Sequence, residues 1–283
     1  MNNNYYARRQ WLVSVFDDTM QKIQRNAILR QAVTDSIRSQ QFIAENDVIN
    51  LPTPPYIESA QVLVTKNRSF EAAAKYVAEG KRVAVLNFAS ANNPGGGVDT
   101  GASAQEECLC RVSTLYPCLR DRKMWQQFYL PHRQARNPLH NDDIIYTRDI
   151  VVLKDDDYNE LKTPYKVDVI TCAAPNLRED PSNKYNPSDG TKSATVTEEQ
   201  LLMIHEQRGR KILSVAAQNG AEVVILGAFG CGAFRNDPQI VAQAYKNILL
   251  EFVRYFRTIE FAVYCRPNDV SNYQAFKELI HNL

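Results

Sequence analysis

Four short apolar runs, set apart by stretches of helix length, constrain this chain most. Arg82-Val-Ala-Val-Leu-Asn-Phe88, Val167-Asp-Val-Ile-Thr-Cys-Ala-Ala174, Glu222-Val-Val-Ile-Leu226 and Phe261-Ala-Val-Tyr264 are bounded by turn residues. Such runs suit strands covered on both faces of a sheet. Helical patterns alternate with them. Residues 69–80 end on a Gly, Thr197-Glu-Glu-Gln200 is a capping box opening a helix to about Asn219, and Asp237-Pro238 opens another to about Phe256. A last helix spans residues 271–280. Parallel neighbours need a crossover, usually a helix, so this cadence predicts an α/β domain with a largely parallel sheet.

Residues 10–47 read as helical: Trp11, Leu12, Val15, Phe16, Met20 and Ile23 recur at mostly helical spacing, with no Pro until Pro52. Leu51-Pro-Thr-Pro-Pro55 breaks the pattern. We therefore expect a helical N-terminal extension, residues 1–64, ahead of an α/β domain, residues 65–283. The segment 178–196 reads as a surface loop and Asp155-Asp-Asp157 as a solvated turn.

Composition removes several function classes. Lys plus Arg (33) nearly equals Asp plus Glu (32), which argues against a dedicated duplex-binding protein. No stretch approaches the ~18 apolar residues of a membrane span, and the N-terminus has no signal-peptide core, so a soluble, cytoplasmic protein is expected. Six cysteines in such a chain are expected to be unpaired. Cys108 and Cys110 form C-x-C without a second pair at zinc spacing, so no metal is expected.

Two Gly-rich turns follow predicted strands: Asn92-Asn93-Pro94-Gly95-Gly96-Gly97 and Gly227-Ala-Phe-Gly-Cys-Gly-Ala-Phe-Arg235. Glycines let backbone amides approach a ligand without a Cβ in the way, although glycines in tight turns need no ligand at all. Two such turns in one α/β domain point to a phosphate-bearing ligand. The dinucleotide order G-x-G-x-x-G is absent. After the triple Gly and seven intervening residues comes Gln105-Glu106-Glu107, at the start of a helical pattern. Acids there gain from the helix dipole alone. Beside a ligand loop, however, adjacent glutamates point about 100° apart, so one can face a reacting bond while the other holds a neighbouring hydroxyl.

Gly95-Gly-Gly97, seven residues and Gln105-Glu106-Glu107 together resemble the signature of poly(ADP-ribose) glycohydrolases. Val85-Leu-Asn-Phe-Ala-Ser-Ala-Asn-Asn-Pro-Gly-Gly-Gly resembles the compact bacterial type, built on an ADP-ribose-binding macrodomain; residues 227–238 resemble its diphosphate loop. The likeness covers about residues 65–283 and implies a macrodomain-like, mixed, largely parallel sheet flanked by helices. It implies hydrolysis of ribose–ribose O-glycosidic bonds, mainly from chain ends, releasing ADP-ribose without a cofactor. Poly(ADP-ribose) or ADP-ribosylated macromolecules would be the partners. Glu107 would be the general acid/base, Glu106 would orient the leaving ribose, and Gln105 would support the pair. Gly95, Gly96 and Gly97 would contact the terminal ribose and diphosphate, and Asn92 or Asn93 the ribose hydroxyls. Gly230, Cys231, Gly232 and Ala233 would line the diphosphate, with Phe234 packed on the terminal ribose.

Two alternatives share these motifs: a hydrolase of mono-ADP-ribose on protein or nucleic acid, and a non-catalytic ADP-ribose-binding module. Around the site, Arg111 and Arg235 would pair with phosphate or form salt bridges, and His205 reads as a packing or surface residue. Tyr185 is a lid candidate against plain exposure, and Tyr264-Cys-Arg-Pro267 a candidate to flank adenine.

Overall fold

The computed structural model describes residues 2–183, 188–265 and 268–280. Two helices, α1 (Asn2–Arg25) and α2 (Ala27–Ser39), lead into a short strand, β1 (Gln41–Ile43). The helical stretch expected over residues 10–47 is thus interrupted and ends early. Asn26 is extended and its side chain accepts from the Ile28 and Leu29 amides at 2.9 and 3.2 Å, so it ends one helix and caps the next.

Next come β2 (Gln61–Thr65), α3 (Ser69–Ala78), β3 (Val83–Phe88) and α4 (Gln105–Val112). Three short helices follow: α5 (Leu115–Leu119), α6 (Arg122–Met124) and α7 (Leu130–Ala135), the last two joined through a π turn over Trp125–Tyr129. Then come β4 (Ile144–Lys154), β5 (Glu160–Cys172), α8 (Glu198–Gln218), β6 (Val223–Leu226), α9 (Pro238–Phe252), β7 (Thr258–Ala262) and α10 (Ser271–Ile280).

The seven strands form one sheet in the order β1-β4-β5-β3-β6-β7-β2. From β5 to β2 all neighbours are parallel; β4 is antiparallel to both β1 and β5. The expected mixed, largely parallel, helix-flanked sheet is what forms. β4 itself had no expectation, and its pairing explains why β5 starts at Glu160 instead of Val167: Val152 faces Tyr165 and Lys154 faces Glu160. β7 lies ahead of the expected residues 261–264 because its middle position is Glu260, a buried carboxylate. That side chain accepts from Tyr76 and Thr65 hydroxyls, each at 2.6 Å, and so interrupts the apolar run.

Alternate strand residues feed two layers. Leu86, Val224, Leu226 and Phe261 pack with Ile212, Val241 and Phe276 of α8, α9 and α10, whereas Val83, Val85, Val223 and Ile225 pack with Phe70, Leu109 and Val112. Burial on both faces is why these strands read as continuous apolar runs. The first 65 residues supply both outer strands, and β2 spans the boundary expected after residue 64. No helix among the described residues is long and apolar enough to cross a membrane. All six cysteines are free.

Candidate active site

β3 and β6 are adjacent, with Val85 opposite Ile225, and both release their Gly-rich turns at the same edge of the sheet. The Phe88 and Phe229 rings meet there at 5.6 Å. α4 begins at Gln105, so Glu106 and Glu107 occupy its first turn, 2% and 8% exposed. Gln105 is a clamp beneath them. Its Oε1 accepts from the Phe88 amide at 2.8 Å, and its Nε2 donates to Leu86 O at 2.7 Å and Ser69 Oγ at 3.0 Å. Both ends of that amide face the protein, in keeping with a supporting role.

The two glutamates differ in what surrounds them. Glu106 accepts from the Ser90 amide at 2.8 Å, from Asn87 Nδ2 at 3.3 Å and from the Gly95 amide. Glu107 Oε1 accepts from the Gly97 amide at 2.9 Å, while its Oε2 is buried without a partner. Burial pushes both carboxyls above their usual range. Glu106 rises to about 8, with the amide donors opposing the rise and the neighbouring Glu107 charge adding to it; for Glu107 the Gly97 amide is the main opposing influence. Gly96 covers the pair at φ +58°, and a Cβ there would collide with Glu107 Oε1.

The second turn is held from behind. Gly230, at φ +80°, leaves no room for a Cβ, which would sit 2.6 Å from Asn236 Nδ2. Asn236 is buried, and its Nδ2 donates to Pro175 O at 2.7 Å and Gly230 O at 3.1 Å. His205 Nε2 donates to Asn236 Oδ1 at 2.8 Å, and burial lowers the His205 pKa to about 4, so it is a neutral packed donor. Cys231, expected to offer its amide to a ligand, instead closes the turn by donating to Ala228 O at 3.1 Å. Gly232 and Ala233 are exposed, and Phe234 is half-buried with its ring 5.8 Å from His140.

Asn92 and Asn93 face inward. Asn92 is buried and donates to Asp189 Oδ1; Asn93 Oδ1 accepts from Arg133, whose Nε donates to Asn92 O at 2.7 Å. The same Asp189 takes Asn176 Nδ2 at 2.7 Å and His140 Nε2 at 3.1 Å. The segment expected to be a surface loop therefore has a buried anchor. Asn236, Arg133 and His140 carried no signal of their own.

Among the described residues, neither arginine candidate forms a salt bridge. Arg111 is fully buried: Nε donates to Leu12 O at 3.1 Å, Nη2 to Ala102 O and Nη1 to Tyr158 at 3.3 Å, tying α1 to the segment between the triple Gly and α4. Arg235 is exposed at φ +60°. Of the Asp155–Asp157 turn, Asp156 is half-buried, and burial raises its pKa to about 6. Tyr185 and residues 266–267 lie outside the described residues; Tyr264 is exposed, with Arg68 over its ring at 4.6 Å. A cleft of about 580 Å³ opens beside the triple Gly, with Gly96, Gly97, Tyr116, Arg120 and Trp125 among the residues that line it. No three His, Cys, Asp or Glu side chains gather as a metal site among the described residues.

A profile of the microbial-type PARG (poly(ADP-ribose) glycohydrolase) catalytic domain matches residues 14–155, a span that includes the triple Gly and both glutamates. No curated protein matches by sequence. Among solved structures, the chain is similar to the poly(ADP-ribose) glycohydrolase of Thermomonospora curvata. It shares 30% identity at TM-score 0.82, over 97% of this chain and 99% of that one. The same enzyme bound to the inhibitor ADP-HPD matches at 30% identity and TM-score 0.80, over 95% and 99%. The Deinococcus radiodurans enzyme in complex with ADP-ribose matches at 31% identity and TM-score 0.74, over 88% and 97%. Profile, fold and near full-length similarity agree: this chain belongs to the microbial-type poly(ADP-ribose) glycohydrolase family.

Proposed function

We propose that this protein hydrolyses the ribose–ribose O-glycosidic bond of poly(ADP-ribose) and releases ADP-ribose, with Glu107 as general acid/base. The observation that carries this reading is Glu107 Oε2, a buried carboxyl oxygen without a partner beneath a glycine that admits no side chain. A buried polar atom left unsatisfied in the free protein is ready for a partner brought by substrate.

The hydrogen bonds decide where the proton of the pair sits. Donors from Asn87 and Ser90 reach both oxygens of Glu106, whereas on Glu107 the Gly97 amide reaches Oε1 and Oε2 is bare. The proton therefore belongs on Glu107 Oε2. As the C–O bond to the anomeric carbon breaks, that proton passes to the bridging oxygen, which leaves as a ribose hydroxyl. An oxocarbenium-like centre remains, and Glu106 stabilises it and orients the ribose. The Glu107 carboxylate then takes a proton from the water that attacks the anomeric carbon, restoring the starting state.

Gly232 and Ala233 present backbone to the diphosphate, and Phe234 packs on the terminal ribose. Asn92 and Asn93 act through the loop they hold, and Gln105 fixes the helix start. Residues 65–283 carry the site. Residues 1–64 brace it: Arg9 Nε donates to Thr100 O at 2.9 Å, just beyond the triple Gly. Six free cysteines and the absence of an apolar spanning helix among the described residues suit action in the cytoplasm. A near-neutral chain suits engagement of polymer termini more than wrapping of an anionic strand.

The test is product analysis on three substrates with purified protein: poly(ADP-ribose), a mono-ADP-ribosylated protein and a mono-ADP-ribosylated oligonucleotide. Monomeric ADP-ribose released from polymer, faster than from either mono-substrate, is the expected result. Preferential release from a mono-substrate would move the activity to side-chain or nucleic-acid esters and glycosides. Tight ADP-ribose binding with no release from any of them would make it a binding module.

A further inference from the structure

Two arginines are buried among the described residues, and they differ in what balances their charge. Arg208 meets Asp142 at 2.7 Å. Arg111 directs its N–H groups to Leu12 O, Ala102 O and the Tyr158 hydroxyl, and among the described residues no carboxylate lies within ion-pair distance of it. A guanidinium does not give up its proton in a protein, so this charge stays in the interior. A lone buried charge is costly, which favours a negative charge that forms in the same interior.

The fold brings that charge to the acid. Arg111 follows Glu107 by four residues on α4, so both side chains leave the same face of the helix. Long helical side chains point back towards the helix start, and this one does: its Nη2 donates to Ala102 O, ahead of Gln105. The bonds then run on to the carboxyl. The Ala102 amide donates to Gly97 O at 3.1 Å, and the Gly97 amide donates to Glu107 Oε1 at 2.9 Å. One guanidinium thus holds the turn that carries the donor to Glu107.

The other groups around Arg111 leave its charge to Glu107. Asp18 of α1 is held by Lys154 at 2.7 Å and Lys22 at 3.1 Å. Asp156, in the turn between β4 and β5, has the Arg68 charge beside it. Burial pushes the Cys108 and Cys110 thiols up, and the Tyr158 hydroxyl to about 12, so all three stay neutral. Glu106 takes its donors from Asn87 and Ser90. For Glu107, burial raises the carboxyl, and the Gly97 amide and the Arg111 charge oppose the rise. We propose that Arg111 is a positioning residue for the acid, whose buried charge stabilises the carboxylate left on Glu107 when its proton passes to the bridging oxygen. This rests on the reading of Glu107 as general acid. Arg111 itself touches no substrate.

The experiment is the pH dependence of kcat for ADP-ribose release from poly(ADP-ribose), by wild type, Arg111→Gln, Arg111→Lys and Glu107→Gln, with KM and Tm measured for each. The basic limb of that profile follows the proton of the glutamate pair. A neighbouring positive charge lowers a carboxyl, so its loss in Arg111→Gln should move the limb up by ~1 pH unit, with KM within about 3-fold. An acid weaker by about one unit loses up to ~10-fold in plateau kcat. Arg111→Lys keeps the charge without the planar fork, and its limb should return to within about 0.3 pH unit of wild type even if Tm falls. A limb that stays in place in Arg111→Gln, with rate and Tm lowered alike in both variants, is a structural role only and overturns the inference. Arg111→Gln is also made in the Glu107→Gln background, where the carboxylate it balances is gone. There the loss of Tm at pH 8.5 should be smaller than in the parent, and an equal loss, or failure of both to fold, overturns the inference as well. Glu107→Gln with wild-type kcat overturns the acid and this inference together; an inactive Glu107→Gln beside an unmoved limb in Arg111→Gln overturns Arg111 alone.

Discussion

Glu107→Gln removes the acid and keeps the shape. The amide oxygen still accepts from the Gly97 N–H, and the new Nε2 takes the place of an oxygen that has no partner. Loss of a general acid/base lowers kcat by ~10²- to 10⁴-fold, which is ~3–5 kcal/mol of barrier. Stability should move the other way. A carboxyl whose folded pKa is raised holds its proton more tightly in the folded state. Its contribution is therefore full below the unfolded value and is lost as pH rises through the folded one. Glu106, lifted from 4.5 to about 8, sets the scale. At ~1.4 kcal/mol per pH unit, keeping the pair buried costs on the order of 5 kcal/mol above pH 8. Glu107→Gln removes one of the two acids and the charge that helps raise Glu106, so roughly 2 kcal/mol should return, or ~4–8 °C in Tm. Thermal unfolding of both proteins at pH 5 and pH 8.5 measures this. The variant should exceed wild type by several degrees at pH 8.5 and by less at pH 5. A gap that is absent at pH 8.5, or that widens towards acid, would refute the burial argument.

Three further substitutions probe the frame around the pair. Gly96→Ala forces a Cβ into the Glu107 carboxyl at a positive φ. It should lower kcat at least ~100-fold and cost ~1–3 kcal/mol in a urea titration, and near-normal activity would contradict the assigned roof. Asn236→Ala strands Gly230 O, Pro175 O and His205 Nε2. At ~1–3 kcal/mol for lost buried hydrogen bonds, the Kd for ADP-ribose measured by calorimetry should rise ~5- to 150-fold while kcat changes little, and a fall in kcat alone would detach this residue from ligand binding. Gln105→Leu leaves the Phe88 amide and Leu86 carbonyl unpaired. A loss of ~2–4 kcal/mol in chemical unfolding is expected, and a change under ~0.5 would show that the clamp is dispensable.

Strands β3 and β6 were legible because both faces are buried, which writes them as unbroken apolar runs. The helix boundaries at Thr197 and Asp237 were legible for a different reason: a capping side chain is local chemistry, and the structure shows both caps in place. β4 and the start of β5 were not, since their existence depends on pairing with each other across residues 144–172. The site divided in the same way. The glycines and the two glutamates were readable because each has a conformational or chemical reason at its own position. Asn236, Asp189 and Arg133 were not. Each works by joining segments distant in sequence, as Asp189 joins Asn92, His140 and Asn176. Arg111 shows the limit of a proximity argument: it follows the glutamates by four residues, yet its guanidinium turns to the backbone of α1.

The central claim is that Glu107 supplies the proton for cleavage of the polymer. The most direct test is the initial rate of free ADP-ribose release from purified poly(ADP-ribose), by wild type and Glu107→Gln side by side, with ADP-ribose binding measured on both. The account predicts release by wild type, a fall of at least ~100-fold in the variant, and binding retained by both. Release by the variant within about tenfold of wild type would contradict it, because the proton would then have to come from elsewhere.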